Sequence, residues 1–124
     1  MAEHNTFGKY GERHAEEYLR KKNYIILGTN FRWGKNEIDI IALDGRFLVF
    51  VEVKTRHSAW AGDPETAVTK EKQRSIVRAA NGYIQKFNRM EEARFDIVSI
   101  LVGNETTPQI THIIDAFSPL MNNY

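Results

Sequence analysis

The chain has 124 residues, of which 42% are hydrophobic and 27% are charged, a composition that excludes a disordered chain and fits one globular domain. It contains no cysteine, which excludes disulfide scaffolds, thiolate nucleophiles and cysteine-ligated zinc, and no apolar run approaches the roughly 18 residues of a membrane span. Since the N-terminus also has no apolar signal core, we expect a cytoplasmic protein with no membrane contact, and the net charge of +1 by itself indicates little about its partners.

Hydrophobic periodicity predicts seven elements in the order α-β-β-β-α-β-β. The first is a helix over residues 7–22 with Asn5 or Thr6 as its N-cap, and strands follow over residues 24–32, 37–43 and 46–54. The rest of the chain is predicted as a loop over residues 55–64, an amphipathic helix over 69–88 and strands over 94–102 and 109–117. Without repeats or linkers, residues 1–124 form a single predicted domain of α/β class, a mixed β-sheet flanked by helices.

The third predicted strand carries charges where an apolar row should continue. Because side chains alternate along a strand, Glu52 and Lys54 extend the face that begins with Leu48 and Phe50. Burying such charges is costly unless they are paired or bind a metal. The pattern therefore indicates either an ion pair at the end of the strand or a metal site.

The turn before this strand favours the metal site. Asp44-Gly45 predicts a two-residue hairpin turn, which makes Glu37 the cross-strand partner of Glu52 and Asp39 a diagonal neighbour on the face of Lys54. Carboxylates placed so closely repel one another unless a cation lies between them. Carboxylate oxygens select Mg²⁺ or Mn²⁺ rather than zinc, so we expect one of these cations as the cofactor.

Three stretches of the sequence resemble the bacterial YraN-like family: Gly8-Lys9-x-Gly11-Glu12, the run of residues 36–42 and the run of residues 50–56. In addition, Asp39 followed by a hairpin and Glu52-Val53-Lys54 is similar to the PD-(D/E)xK motif of restriction-endonuclease-like nucleases, although Ile38 stands where that motif has proline. The resemblance covers roughly residues 7–101. It implies a restriction-endonuclease-like fold and metal-dependent hydrolysis of DNA, in a family related to archaeal Holliday-junction resolvases.

The same resemblance implies roles for individual residues. Asp39, Glu52 and the carbonyl of Val53 would be metal ligands, and Lys54 would be the catalytic lysine. Glu12 matches a first-helix glutamate that resolvases add to the metal shell, while its place at the border of the apolar arc also fits a solvated carboxylate. Branched DNA as the substrate and a symmetric homodimer are further implications.

Basic residues surround the predicted site. Residues 1–90 carry 16 Lys and Arg against 11 Asp and Glu, which fits either ordinary surface variation or a basic face for a polyanion. We expect the following residues to contact the nucleic-acid backbone: Arg32, Lys35, Arg56, Lys70, Lys72, Arg74 and Arg78.

Three further expectations concern neighbours of the site and the rival function. Glu37 and Gln73 are expected beside the metal ligands rather than on the metal. Lys72 and Gln73 both fall within the apolar arc of the second helix, which indicates either a first turn that emerges from the core or side chains that reach the metal and the phosphate. The alternative function is a non-catalytic nucleic-acid-binding or adaptor module, which the complete set of Asp39, Glu52 and Lys54 disfavours.

Overall fold

The computed structural model describes residues 2–58 and 68–119, and its strands form one sheet in the order β1-β2-β3-β4-β5. The strands β3 and β4 are parallel, and the other neighbouring pairs are antiparallel. This confirms the predicted element order and the mixed sheet flanked by helices. The elements are α1 (Ala2–Lys21), β1 (Ile25–Trp33), β2 (Asn36–Asp44), β3 (Phe47–His57), α2 (Lys70–Phe87), β4 (Glu92–Val102) and β5 (Gln109–Phe117).

The two helices cover opposite faces of the sheet. On one face Leu19 of α1 lies in a cluster with Val51 of β3, and on the other Tyr83 of α2 lies in a cluster with Phe50. The central strand β3 is therefore buried on both faces, as its apolar run over residues 47–51 predicts. Within the described residues, neither helix combines the length and the apolar character that a membrane crossing needs.

The two helices begin, and strand β3 ends, at other residues than predicted. Helix α1 already begins at Ala2, so the predicted cap at Asn5 or Thr6 is wrong; an N-cap is worth only about 1 kcal/mol and does not stop a helix from running through it. Helix α2 begins at Lys70, one residue after its predicted start, and Thr69 caps it by accepting a hydrogen bond from the Lys72 N–H. Strand β3 continues to His57 because it stays paired with β4, so the predicted loop is wrong for residues 55–57, and residues 59–64 lie outside the described part.

The hairpin between β2 and β3 turns at Gly45 and Arg46, one residue later than predicted. Asp44 pairs with Phe47, and Gly45 has a φ of 57°. Glycine takes this left-handed conformation at the first of the two turn positions, which is one of the favoured geometries for two-residue hairpins. The register is consequently shifted by two residues, and the predicted pairing of Glu37 with Glu52 is wrong.

Candidate functional site

The strands β2 and β3 separate at Asp39. Their ladder ends with the pair of Ile40 and Val51, whereas β2 stays paired with β1 as far as Asn36. The sheet therefore opens into a gap between β2 and β3. Asp39 and Glu52 are the first residues beyond the last pair, so they face one another across this gap instead of lying diagonally as predicted.

The backbone is irregular where the gap begins. Ile38 packs on the α2 face and Ile40 on the α1 face, although residues two apart in a regular strand share a face. On β1, Asn30 lies opposite Asp39 and has a φ of 52°, a conformation uncommon for residues other than glycine. The change of face at Asp39 accounts for the end of the ladder with β3.

The side chains of Asp39 and Glu52 meet inside the gap. Oδ2 of Asp39 accepts a 2.8 Å hydrogen bond from the backbone N–H of Val53, which holds its carboxyl close enough to that of Glu52 to share a proton. Glu52 is only 9% exposed, and its Oε1 has no hydrogen-bond partner within residues 2–58 and 68–119. Such an arrangement is costly unless a proton or a cation lies between the two groups.

Burial and mutual repulsion raise the pKa values of the acids at this site. Burial, followed by the negative charge of Asp39, raises the pKa of Glu52 to about 8. Burial also raises the pKa of Asp39, against the effect of its hydrogen bond from Val53. The pKa of Glu12 is raised by burial and then by Asp39, while a hydrogen bond with Asn30 opposes the shift. The negative charge of Asp39 on β2 therefore raises the pKa of an acid on each of two other elements, Glu12 on α1 and Glu52 on β3.

Helix α1 brings Glu12 to the gap because Gly11 lets the helix approach β3 closely. A Cβ atom at Gly11 would lie 1.7 Å from Oγ1 of Thr55, so no other residue fits without movement. In the described ranges, however, no three side chains among His, Asp and Glu are grouped to hold a metal ion. Glu12 is thus a charged neighbour of the Asp39–Glu52 pair, and its role as a metal ligand stays a prediction.

Two lysines approach Glu52 from different elements. The Nζ atom of Lys72 on α2 lies 3.9 Å from Oε2 of Glu52. Lys54, the predicted catalytic lysine, is half-buried on β3 and lowers the pKa of Glu52 less than Lys72 does. The position of Lys72 in the apolar arc of α2 left open that it reaches the site, but its pairing with Glu52 was not predicted, because that pairing depends on where α2 crosses the sheet.

The other predicted residues surround the gap to different extents. The side-chain N–H of Gln73 donates a 3.2 Å hydrogen bond to the carbonyl of Val68. This contact lies at the start of α2 and is not directed at the acids, so a role of Gln73 at the metal stays a prediction. Glu37 is the cross-strand partner of Arg32 and contributes to the raised pKa of Glu12 after burial and Asp39. Exposed or half-exposed positions on the β1–β2 turn, β3 and α2 hold the remaining basic residues: Lys35, Arg56, Lys70, Arg74 and Arg78.

A second polar cluster is buried on the α1 face of the sheet and was not predicted. Arg94 binds both carboxylate oxygens of Asp96, at 3.0 and 2.9 Å, and reaches Asp44 at 2.9 Å. Nε2 of His112 lies 2.8 Å from Asp96. The available signal was a pair of opposite charges two residues apart in an apolar strand, the same pattern as Glu52 and Lys54. Here the charges satisfy one another, so this cluster is a structural ion-pair network.

Comparisons with known proteins identify a family that matches most of the chain. The model of a family described as "Uncharacterised protein family UPF0102" matches residues 11–100, from the middle of α1 into β4. A UPF0102 protein of Phocaeicola vulgatus is 46% identical over 119 residues, which cover 96% of this chain and 98% of the relative. A UPF0102 protein of Christiangramia forsetii is 45% identical over 117 residues, or 94% of this chain and 98% of the relative. The chain belongs to the UPF0102 family, the YraN-like proteins that its motifs resemble.

Proposed function

We propose that this protein is a metal-dependent endonuclease that hydrolyses DNA phosphodiesters at the gap between β2 and β3. The observation that carries the proposal is the contact of half-buried Asp39 with buried Glu52, whose Oε1 has no hydrogen-bond partner in the part of the chain that the structure describes. Two adjoining acids withdrawn from water destabilise a fold when nothing neutralises them, whereas a divalent cation would satisfy both carboxylates.

The donor atoms at the gap fit Mg²⁺ or Mn²⁺. Magnesium is commonly held by one or two carboxylates and keeps several of its waters, which suits Asp39 and Glu52 as the side-chain ligands. The N–H of Val53 points toward Asp39, and the carbonyl of an extended residue points to the same side as its N–H, which supports that carbonyl as a third donor. A cation bound here would lower the pKa of a water molecule and neutralise charge on a phosphoryl oxygen.

The chain itself supplies positive charge around the phosphate. Lys54 follows Glu52 by two residues on the same face of β3, and in our proposal it stabilises the charge that develops on the phosphate or orients the attacking water. Lys72 lies on α2, with its Nζ atom 3.9 Å from Oε2 of Glu52. The two lysines thus provide cations from two elements, β3 and α2.

The surrounding surface supports a polyanionic substrate. Basic residues of the β1–β2 turn, β3 and α2 would contact the sugar-phosphate backbone, which makes binding sensitive to salt and largely independent of sequence. The likeness to Holliday-junction resolvases adds two expectations, namely branched DNA as the preferred substrate and a symmetric homodimer that carries one site for each cut strand.

The proposal is tested with labelled linear, single-stranded, flapped and four-way DNA and with matching RNA, in Mg²⁺, Mn²⁺ or EDTA. We expect cleavage of DNA by the wild-type protein only with a divalent cation. Lys54→Ala should lower the cleavage rate by about 100-fold or more, since removal of one transition-state contact has effects of this size, while DNA affinity changes little. Lys86→Ala is the matched control, because Lys86 is exposed near the other end of α2.

Two outcomes would contradict the proposal in different ways. A wild-type protein that binds the DNA panel but cuts none of it, with or without metal, would favour the non-catalytic binding module. A Lys54→Ala protein that cuts as fast as wild type would exclude Lys54 from the reaction.

A further inference from the structure

A polar cleft of about 480 Å³ lies beside the Asp39–Glu52 pair, between the β1–β2 turn and the first three turns of α2. The β1–β2 turn forms one wall with Lys35 and Asn36, and α2 forms the other. We call it the α2 cleft and define it by its lining residues: Lys35, Asn36, Thr69, Glu71, Lys72, Ser75 and Arg78.

The two walls of the α2 cleft contact one another through a hydrogen bond and a packed ring. The Ser75 hydroxyl donates a 2.8 Å hydrogen bond to Oδ1 of Asn36, and Nδ2 of Asn36 donates to the carbonyl of Trp33 at 3.2 Å. The ring of Trp33 in turn packs over Gly82 of α2, where even a Cβ atom would lie only 2.2 Å from it. These contacts join the two walls, which lowers the cost of ordering them when a ligand binds.

The α2 cleft carries a net positive charge. Lys35, Lys72 and Arg78 line it against the single acid Glu71. Lys72 is engaged with Glu52 at 3.9 Å, but neither Lys35 nor Arg78 forms an ion pair within the described ranges. Unneutralised cations that converge from two elements on one polar concavity favour an anionic ligand.

We propose that the α2 cleft binds a backbone phosphate of the nucleic acid, adjacent to the phosphate at the Asp39–Glu52 site. Lysine and arginine are side chains that proteins direct at backbone phosphates, and Lys35 and Arg78 stand on opposite walls, whereas Ser75 and Asn36 are hydrogen-bonded to one another. Lys72 belongs to both places and joins the cleft to Glu52. The inference rests on the proposed function for the position of the cut, but its binding contact is independent of cleavage.

The test measures DNA binding without cleavage. Affinity for a fluorescent 20-base-pair duplex is measured by anisotropy in EDTA across a series of salt concentrations, for wild type and for Lys35→Gln/Arg78→Gln. If both side chains contact phosphate, affinity at low salt falls by about tenfold or more, and the log–log salt slope becomes shallower by about 2. The control Lys21→Gln/Lys22→Gln removes the same charge from exposed positions at the end of α1 and should change both quantities much less.

The outcomes separate this inference from the proposed activity. A loss of slope in the cleft variant together with no cleavage by wild type in Mn²⁺ supports the phosphate site and refutes the nuclease. Cleavage by wild type combined with equal slopes for the cleft variant and the control overturns the phosphate site and leaves the nuclease standing. A wild-type protein that does not bind the duplex overturns the phosphate site as well.

Discussion

Asp39 accepts a 2.8 Å hydrogen bond from the backbone N–H of Val53, and this bond replaces the β-ladder contact that ends one residue earlier. A side chain thus bridges the two strands at the point where they separate. The bond fixes the Asp39 carboxyl beside that of Glu52, so the two acids are close together before any ligand arrives. The first prediction follows from this enforced contact.

Without a metal ion, the protein should lose stability as the pH rises from about 5 to 8. Burial and the charge of Asp39 raise the pKa of Glu52 to about 8, from 4.5 for an ordinary glutamate. The folded protein therefore keeps a proton that the unfolded chain releases, so this contribution is complete below pH 4.5 and is lost as the pH passes through about 8. We expect the free energy of unfolding to fall by a few kcal/mol, on the order of the linkage for such a shift. Urea unfolding in EDTA across this range measures it.

The control for this experiment is Glu52→Gln. It removes the titrating group but leaves the four histidines unchanged, so the difference between the two proteins isolates Glu52. The variant should be the more stable protein at pH 8 in EDTA. Added Mn²⁺ should stabilise wild type more at pH 8 than at pH 6, because cation and proton compete for the same carboxylates. Parallel pH profiles for wild type and Glu52→Gln would refute the raised pKa.

The sequence predicted the central strand and the face of its charged side chains well, because both depend on local patterns. An unbroken apolar run predicts a strand covered on both faces, and strict alternation places Glu52 and Lys54 on one side of it. The even-length turn also predicted the two acids on one side of the hairpin. A shift of two residues in register preserves the face of every side chain, so the error at Gly45 did not separate Asp39 from Glu52.

Features that depend on tertiary contacts could not be predicted. The change of face at Asp39 follows from the irregular pairing opposite Asn30, and asparagine in a strand pattern does not by itself indicate a left-handed conformation. The approach of Lys72 to Glu52 depends on how α2 crosses the sheet. Likewise, the sequence shows Arg94 and Asp96 only as two opposite charges in an apolar strand. Their structural role became evident only from the position of His112 beside Asp96.

The second prediction concerns the contact of α1 with β3. Gly11→Ala should destabilise the fold by about 1–3 kcal/mol, the usual cost of forcing an extra methyl into a packed contact, because its Cβ would meet Oγ1 of Thr55. Gly8→Ala is the matched control in the same helix, since nothing lies within 4 Å of a Cβ there. Alanine is the better helix former, so that variant should gain up to about 1 kcal/mol. Urea unfolding compares them, and equal stabilities would rule out the close approach at Gly11.

The third prediction separates the two acids that bind Arg94. Asp96→Asn should cost about 3–5 kcal/mol, because it removes the fully buried partner of a buried guanidinium and leaves only the more exposed Asp44. Asp44→Asn should cost about 1 kcal/mol or less, since the Asp44 side chain is 38% exposed and water can replace it. Both variants are measured by urea unfolding at pH 7. A loss of similar size in the two proteins would show that burial does not determine the strength of this network.

Calorimetric titration with Mn²⁺ at pH 8 tests most directly whether Asp39 and Glu52 together hold a divalent cation. Wild type should bind Mn²⁺, and Asp39→Asn and Glu52→Gln should each weaken binding by about tenfold or more, because each removes one carboxylate ligand. Asp44→Asn, an acid-to-amide change at the other end of β2, should bind as wild type does. Wild-type affinity in both site variants, or no Mn²⁺ binding by the wild-type protein, would contradict the account.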